Sequence, residues 1–347
     1  MKVGVLTVQI PFVMGGAELH AANLVKALRE HGHEAEIIRF PFTWFPPHRI
    51  QPQILATQLL DVTESSGMRI DRVIGLKFPA YLMPHPNKVL WILHQHRAAY
   101  DLWLHEPGDL HGQPGGERAM QAIRAADARA IPAAKQVFTN SRRVSQRLFD
   151  YCGLLGEPLY HPPPDAELYQ PAEPDDFLLM PSRINETKRQ SLLIEALFHL
   201  RSDARVCILG RPDRETVLHA LQARAAHLPP GRLRFLGGVS DEQKRDLYAR
   251  CLAVVFIPLD EDYGYVTLEA MLAAKPVLTC SDSGAVLEFV LPEQTGLICP
   301  PDPIALAACI DRIWTDRPLA RRLGTQAREH YRGLGLSWAK VVEKLLA

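Results

Sequence analysis

The stretch Cys251–Cys280, CLAVVFIPLDEDYGYVTLEAMLAAKPVLTC, decides how the rest of the chain is read. Val254 to Ile257 is a β-branched and aromatic run with no polar break, as a strand buried on both faces requires. Pro258 ends it, a polar turn Asp260-Glu261-Asp262-Tyr263-Gly264 follows, and Val266 to Ala274 repeats apolar residues at helical spacing. Pro276 stops that helix, and Val277 to Cys280 reads as the next strand. Strand, turn, helix, strand is a right-handed βαβ crossover, the unit of a parallel sheet.

In such sheets ligands bind beyond the carboxyl ends of the strands, where the next helix aims its N-terminus. Amides near Gly264, Tyr265 and Val266 suit phosphate or sugar oxygens, and Gly264 permits close backbone approach or a positive φ. Glu261 falls in the turn and Glu269 on the helix. Two readings stand side by side: a helix cap with a solvated helix residue, or two carboxylates that hold a ligand.

Upstream, Gly237-Gly238-Val239-Ser240-Asp241-Glu242 follows the strand Leu233–Leu236, and Ser240 suits the cap of a helix over Asp241–Ala249. Thr216 to His227 predicts a helix and Val206 to Leu209 a strand. Further back, the strand Phe177–Met180 runs into Pro181-Ser182-Arg183-Ile184-Asn185-Glu186-Thr187-Lys188 and the helix Arg189–Leu200. Arg183 and Lys188 flank a helix start, where a guanidinium fork and an ammonium can clamp a diphosphate; the plain alternative is surface charge. Downstream, helices run from Asp302 to the end, the last starting at Ser337-Trp338.

The run His161-Pro162-Pro163-Pro164-Asp165 to Pro174 reads as a semi-rigid linker and a domain boundary. Before it, Val3–Val8 is a buried strand, Gln9 to Gly16 a loop, Ala17–His31 a helix and Glu34–Phe40 a strand. This is a mononucleotide-type half, with Gly15-Gly16 at the helix start able to admit a diphosphate. PFTWFPPH, after Phe40, is too rich in proline for helix or central strand. Gln51 to Ser66 predicts a helix; Ile70–Ile74 and Lys88–Leu93 predict strands, the latter leading into His94-Gln95-His96. That histidine pair can be read as metal ligands, though nothing nearby completes a site. The stretch after Trp103, LHEPGDLHGQPGGE, reads as a long mobile loop, followed by a helix to Ala130, a strand Gln136–Thr139 and a helix Arg142–Tyr151 capped by Ser141. Arg142, Arg143 and Arg147 read either as a solvated face or as a contact for anionic lipid headgroups.

Size and charge bound the function. The 347 residues suit two domains, expected at 1–165 and 175–330 with the last helix, about 331–347, returning to the first. Thirty-nine basic against thirty-nine acidic residues argues against a nucleic-acid binder. Six scattered cysteines without a CxxC pair, no signal-peptide pattern, and no apolar run near the ~20 residues of a spanning helix predict a soluble cytoplasmic protein.

Glu261, seven residues, Glu269, then Ala270-Met271 and Lys275-Pro276-Val277 resembles the signature of family-4 glycosyltransferases, the glycosyltransferase group 1. Asp262-Tyr263 replaces its Gly-Phe, and Ala274 stands where glycine is common. Gly15-Gly16-Ala17-Glu18 is similar to the family's GGxE element, and Arg183 and Lys188 fall in register with its GRL, three residues, KG pattern. The Gly237-Gly238 loop resembles the one that lies against the nucleobase, and His94 (with His96 in reserve) the active-site histidine. The resemblance covers nearly the whole chain, closest over Met180–Glu343 and loosest from Phe40 to Gly116.

The resemblance implies an α/β protein of the GT-B fold: two facing Rossmann-like domains with parallel sheets, a cleft between them, and a C-terminal helix that crosses back. It implies a retaining hexosyltransferase, with a nucleotide-sugar donor (UDP- or GDP-linked) and a glycan or lipid-linked acceptor, in polysaccharide or lipopolysaccharide biosynthesis. It implies no metal and no other cofactor. Arg183, Lys188 and the helix behind Gly15-Gly16 would hold the diphosphate; Gly238, Tyr263, Gly264, Tyr265 and Val266 would line the donor site. Glu261 would bind the donor sugar, Glu269 the ribose hydroxyls, and His94 the sugar through a neutral ring. The family also implies the inner face of the cytoplasmic membrane as a place of work. Two rivals share the pattern: a sugar-nucleotide 2-epimerase, which needs no acceptor, and a non-catalytic nucleotide-sugar binding module, whose site would have decayed.

Overall fold

The computed structural model describes residues 1–11, 15–104 and 110–347; residues 12–14 of the loop before Gly15 and 105–109 of the loop after Trp103 lie outside the described residues. The chain divides into two compact units, Met1–Pro164 with Ser337–Ala347, and Asp165–Leu336.

The first unit contains β1 (Lys2–Gln9), α1 (Gly16–Glu30), β2 (Glu34–Pro41), α2 (Ile50–Leu59), a hairpin of β3 (Glu64–Ser65) and β4 (Met68–Arg69), β5 (Arg72–Lys77), β6 (Lys88–His94), α3 (Gly116–Ala130), β7 (Gln136–Thr139), α4 (Arg142–Cys152) and β8 (Glu157–Pro158). Among the described residues its main sheet runs β2-β1-β5-β6-β7-β8, every pair parallel. Its inner strands β1, β5 and β6 read as largely apolar runs because both faces are covered. Leu6 and Val8 enter one core while Val3 and Val5 enter the other.

The helix predicted over Gln51–Ser66 is a correction: α2 stops at Leu59. Leu60 is extended, and the Asp61 carboxylate accepts from the Thr63 amide at 2.8 Å and its hydroxyl at 2.6 Å. Such local bonding competes with helix. Ser66 and Gly67 then both take positive φ, 52° and 77°, as the two-residue turn of a tight hairpin demands.

The second unit contains β9 (Leu178–Pro181), α5 (Gln190–Leu197), β10 (Val206–Leu209), α6 (Glu215–Ala225), β11 (Leu233–Gly237), α7 (Asp241–Arg250), β12 (Val254–Val255), α8 (Tyr265–Leu272), β13 (Val277–Cys280), β14 (Gly296–Cys299), α9 (Pro303–Thr315) and α10 (Arg317–Leu334). Its parallel sheet runs β11-β10-β9-β12-β13-β14. Counted within the unit, that is the doubly wound order 3-2-1-4-5-6, with its reversal between β9 and β12. Paired strand ends at Val255 rather than Ile257, although the Phe256 amide still donates to Leu278 O at 2.9 Å. Ser240 caps α7 and Ser141 caps α4, both through the predicted side chain.

The last helix, α11 (Trp338–Leu346), belongs to the first unit. Val341 and Leu345 enter the core beside α1, and Arg72 Nη1 donates to Leu345 O at 2.9 Å and Ala347 O at 3.0 Å. The proline-rich boundary segment is pinned at both ends rather than a bare spacer. His161 is buried in the first unit against His20, Trp91 and Trp338, and Tyr169 is buried in the second against Tyr248. A further correction concerns the arginines of α4. Arg147 is only 2% exposed and lies 3.6 Å from Asp101, so it belongs neither to a solvated face nor to a lipid contact. Among the described residues no helix is long and apolar enough to cross a membrane.

Candidate active site

Strand order in the second unit reverses between β9 and β12, and in doubly wound sheets the carboxyl edge at such a reversal is where ligands bind. Both sequence-predicted pairs of polar residues lie there. After β9, Asn185 Oδ1 accepts from the Lys188 amide at 3.1 Å, shaping the turn that carries Lys188. After β12, the Leu259 amide donates to Thr187 O at 2.7 Å, drawing the two segments together. The Lys188 ammonium and the Glu261 carboxylate meet in direct hydrogen-bonded contact, each side chain less than a fifth exposed. Glu261 also bridges by its backbone to Gly284, so the turn has β-like support.

Gly264 starts α8 at φ 81° and provides no side-chain cap. A Cβ there would fall 2.9 Å from the Phe256 ring, so both conformation and space require glycine. Tyr263 is buried and packs edge-on to Tyr265 and Phe289.

Neither member of the glutamate pair fits the plain reading. Glu261 does not cap α8, and Glu269 is only 5% exposed. Glu269 Oε1 lies 3.0 Å from Lys244 Nζ, and its Oε2 accepts from Tyr248 Oη at 2.7 Å. Burial first, then this carboxylate, push the Tyr248 hydroxyl well above its usual range, and Tyr169 is raised for the same reasons. A carboxylate so buried must be paired to be tolerated. Lys244, Tyr248 and Tyr169 escape sequence reasoning; their signal would have been a cation and aromatic rings near Glu269 in space, which spacing does not carry.

Arg183 sits on the same edge but is half exposed, its Nη1 donating to Asp213 Oδ1 at 3.0 Å. Arg189, which stands where the family pattern has glycine, takes φ 56° and forms a two-point bond to Asp282 at 2.8 and 2.6 Å. A Cβ on Gly238 would come within 2.5 Å of the Arg211 side chain, placing that guanidinium against the Gly237-Gly238 loop.

In the first unit, α1 begins at Gly16 with Gly15 as its cap, and Glu18 Oε2 accepts from the Gly15 amide at 2.8 Å. Among the described residues, a Cβ on Gly16 would meet nothing within 4 Å. His94 closes β6 and is partly exposed; its Nδ1 lies 2.6 Å from Gln95 O, which assigns Nδ1 as donor and Nε2 as acceptor in the neutral ring. His94 lines a cavity of about 230 Å³ with Phe42, Trp44, Lys77 and Arg97. His96 lines the same cavity and packs its ring against Phe42 and Phe78, and burial pushes its pKa down to about 3. Among the described residues no group of three histidine, cysteine or acidic side chains is placed to hold a metal ion.

Residues 166–330 match the family of glycosyl transferases group 1. The human alpha-1,3/1,6-mannosyltransferase ALG2 is 30% identical over 166 residues, covering 44% of this chain and 40% of that protein. A D-inositol 3-phosphate glycosyltransferase of Streptomyces bingchenggensis is 25% identical over 241 residues, 60% of this chain and 51% of that one. The chain thus spans about half or less of the length of these curated relatives. Among solved structures, Anabaena Alr3699/HepE in complex with UDP-glucose aligns with a TM-score of 0.74 at 17% identity over 99% of this chain and 98% of that one. WaaG, a glycosyltransferase involved in lipopolysaccharide biosynthesis, aligns with a TM-score of 0.70 at 17% identity over 99% of each. Over residues 166–330 the chain is similar to the group 1 glycosyl transferases, and its two Rossmann-like units have the GT-B fold.

Proposed function

We propose that this chain is a retaining glycosyltransferase that moves a hexose from a UDP- or GDP-linked donor to a hydroxyl of a glycan or lipid-linked acceptor, without a metal. The observation that carries the reading is the Lys188–Glu261 contact at the strand-order reversal, with Glu269 buried farther along α8. Cleaving a glycosyl–phosphate bond leaves negative charge on the diphosphate and positive charge on the sugar ring. Lys188 and Arg183 answer the first and take the part a metal would otherwise play; the α1 N-terminus behind Gly15-Gly16 is the first unit's own anion-binding end. Glu261 answers the second, and it holds donor-sugar hydroxyls; no nucleophile role is given to it. Glu269 accepts the ribose hydroxyls, Gly238 borders the base, and His94 hydrogen-bonds the sugar through Nε2. Named relatives that transfer sugars, and a fold relative solved with UDP-glucose, support this reading. The work is placed in the cytoplasm, at the inner face of the membrane where the acceptor is lipid-linked.

A thermal-shift panel of UDP-, GDP- and ADP-sugars tests it, since a true donor at 100 times its dissociation constant adds about 2.7 kcal/mol. Incubation of that donor alone should leave its sugar unrearranged, and chelator should leave transfer intact. Lys188→Ala should weaken donor binding by roughly 1.5–3 kcal/mol, the cost of a charged hydrogen bond. The free nucleoside, lacking phosphates, should bind parent and variant alike; an equal loss for nucleoside would remove Lys188 from the diphosphate.

A further inference from the structure

Three cations at the carboxyl edge of β9 each meet a carboxylate, and the three contacts differ in kind. Arg189 holds Asp282 at two points with its side chain 16% exposed, a bidentate geometry that resists displacement. Lys188 holds Glu261, both largely covered. Arg183 touches Asp213 at a single point, with side chains 49% and 39% exposed. A one-point exposed pair is the weakest of the three and the one most readily exchanged for another anion.

Asp213 nevertheless does not depend on Arg183 for its position. The Ile184 amide donates to Arg211 O at 2.9 Å and the Asp213 amide donates to Ile184 O at 3.0 Å, zipping the segment after β10 onto the segment after β9. Gly210, at φ 151°, lets those backbones touch: a Cβ there would lie 1.9 Å from Ser182 O. Asn185 Nδ2 donates to Asp213 Oδ2 at 2.9 Å, while Oδ1 of the same residue shapes the Lys188 turn. The carboxylate is thus fixed by backbone and by Asn185, and the long, half-exposed arginine is the partner that moves.

We propose that Asp213 is a built-in competitor for the diphosphate subsite: it holds Arg183 until the anion of a nucleoside diphosphate displaces it, and so lowers affinity for donor and nucleoside-diphosphate product alike. The inference rests on the reading of Arg183 as a diphosphate ligand. Its consequence is faster release of the charged product, because the guanidinium has a neighbouring carboxylate to return to. Asp213 acts through Arg183 and is a positioning residue.

The test is calorimetric titration of the full chain with inorganic pyrophosphate, at low and at high salt, on the parent, Asp213→Asn, Arg183→Ala and the double variant. Asp213→Asn should tighten binding about two- to fivefold, the range an exposed ion pair commands, with the gain shrinking at high salt. Arg183→Ala should weaken binding, and adding Asp213→Asn to it should bring no further gain. Asp213→Glu, which restores the charge, should return affinity toward the parent. Tightening of equal size in the Arg183→Ala background would overturn the proposal, since Asp213 would then act by general repulsion. Weakened binding by Arg183→Ala with no tightening by Asp213→Asn would overturn it too, leaving the clamp standing. Unchanged binding by Arg183→Ala would remove the clamp reading itself, and the competitor with it.

Discussion

Glu261 and Glu269 are the same residue type on one short segment, and their surroundings separate their work. Glu269 is buried and answers Lys244 and Tyr248, so truncation would leave a tyrosine hydroxyl and an ammonium unpaired. Glutamine keeps an acceptor of the same shape and is the cleaner probe. Ribose is the same in ground and transition states, so Glu269→Gln should mainly raise the donor KM. The sugar ring gains positive charge as its bond breaks, so Glu261→Gln should mainly lower kcat. Steady-state kinetics on both variants separates the roles, and the opposite split would exchange them. The glutamates were legible because their spacing lies within one helix and its preceding turn. The partners of Glu269 were not, since it draws Lys244 from 25 residues away; nor was the pairing of Arg189 with Asp282, 93 residues apart. Local spacing carries no signal for partners brought together only by the sheet.

At the scale of elements, the Ser141 and Ser240 caps and the apolar strands followed from the chain because they act locally, whereas the hairpin β3–β4, the short β8 and the strand β14 were not read. The overlong α2 did not, because Asp61 and the Ser66-Gly67 turn break a pattern that apolar periodicity alone would continue. The docking of α11 was visible only as a family trait; its physical basis is the cluster of His20 on α1, Trp91 on β6, His161 and Trp338. His20 Nδ1 and His161 Nε2 lie 3.0 Å apart, so the pair shares one donated proton and is accommodated neutral. Burial lowers His20 to about 3, and His96 likewise, and takes His161 well below its usual range. Each would gain a proton on unfolding below about pH 6.5, the ordinary histidine value. Asp127 in the same unit opposes them: burial raises it to about 7, so it loses a proton on unfolding above the usual aspartate range. Three uptakes against one release leave a net gain of two protons on unfolding. Stability should therefore be fully present near pH 7 and fall with acid between roughly pH 6.5 and 4, by up to roughly 2.7 kcal/mol per pH unit. Urea unfolding followed by tryptophan fluorescence across that range checks it. A flat or inverted profile would mean the histidines are protonated in the folded state.

At the scale of the molecule, each unit has its own sheet with a core on either face, so each has the means of stability by itself. The two-unit division and the parallel sheets were legible from alternating strand and helix patterns and from the prolines near 162–164. The functional reading was drawn where motif residues sit at strand ends, which is why the second unit carries most of it and the stretch from Phe40 to Gly116 little. That asymmetry leads to a prediction about how the whole chain responds to parts of a donor. The residues assigned to base and ribose, Gly238 and Glu269, both lie in the second unit, as do Arg183 and Lys188, assigned to the diphosphate. A nucleoside without phosphates should therefore slow hydrogen exchange in α8 and the loop after β11, leaving the amides of α1 and β6 unchanged. Adding the diphosphate should extend protection to the Lys188 turn. Binding that stabilises one local region raises protection there first, because local openings are sampled independently of global unfolding. If the nucleoside alone protected α1 and β6, the base and ribose would have partners in the first unit and the division of labour argued from Glu269 would fail.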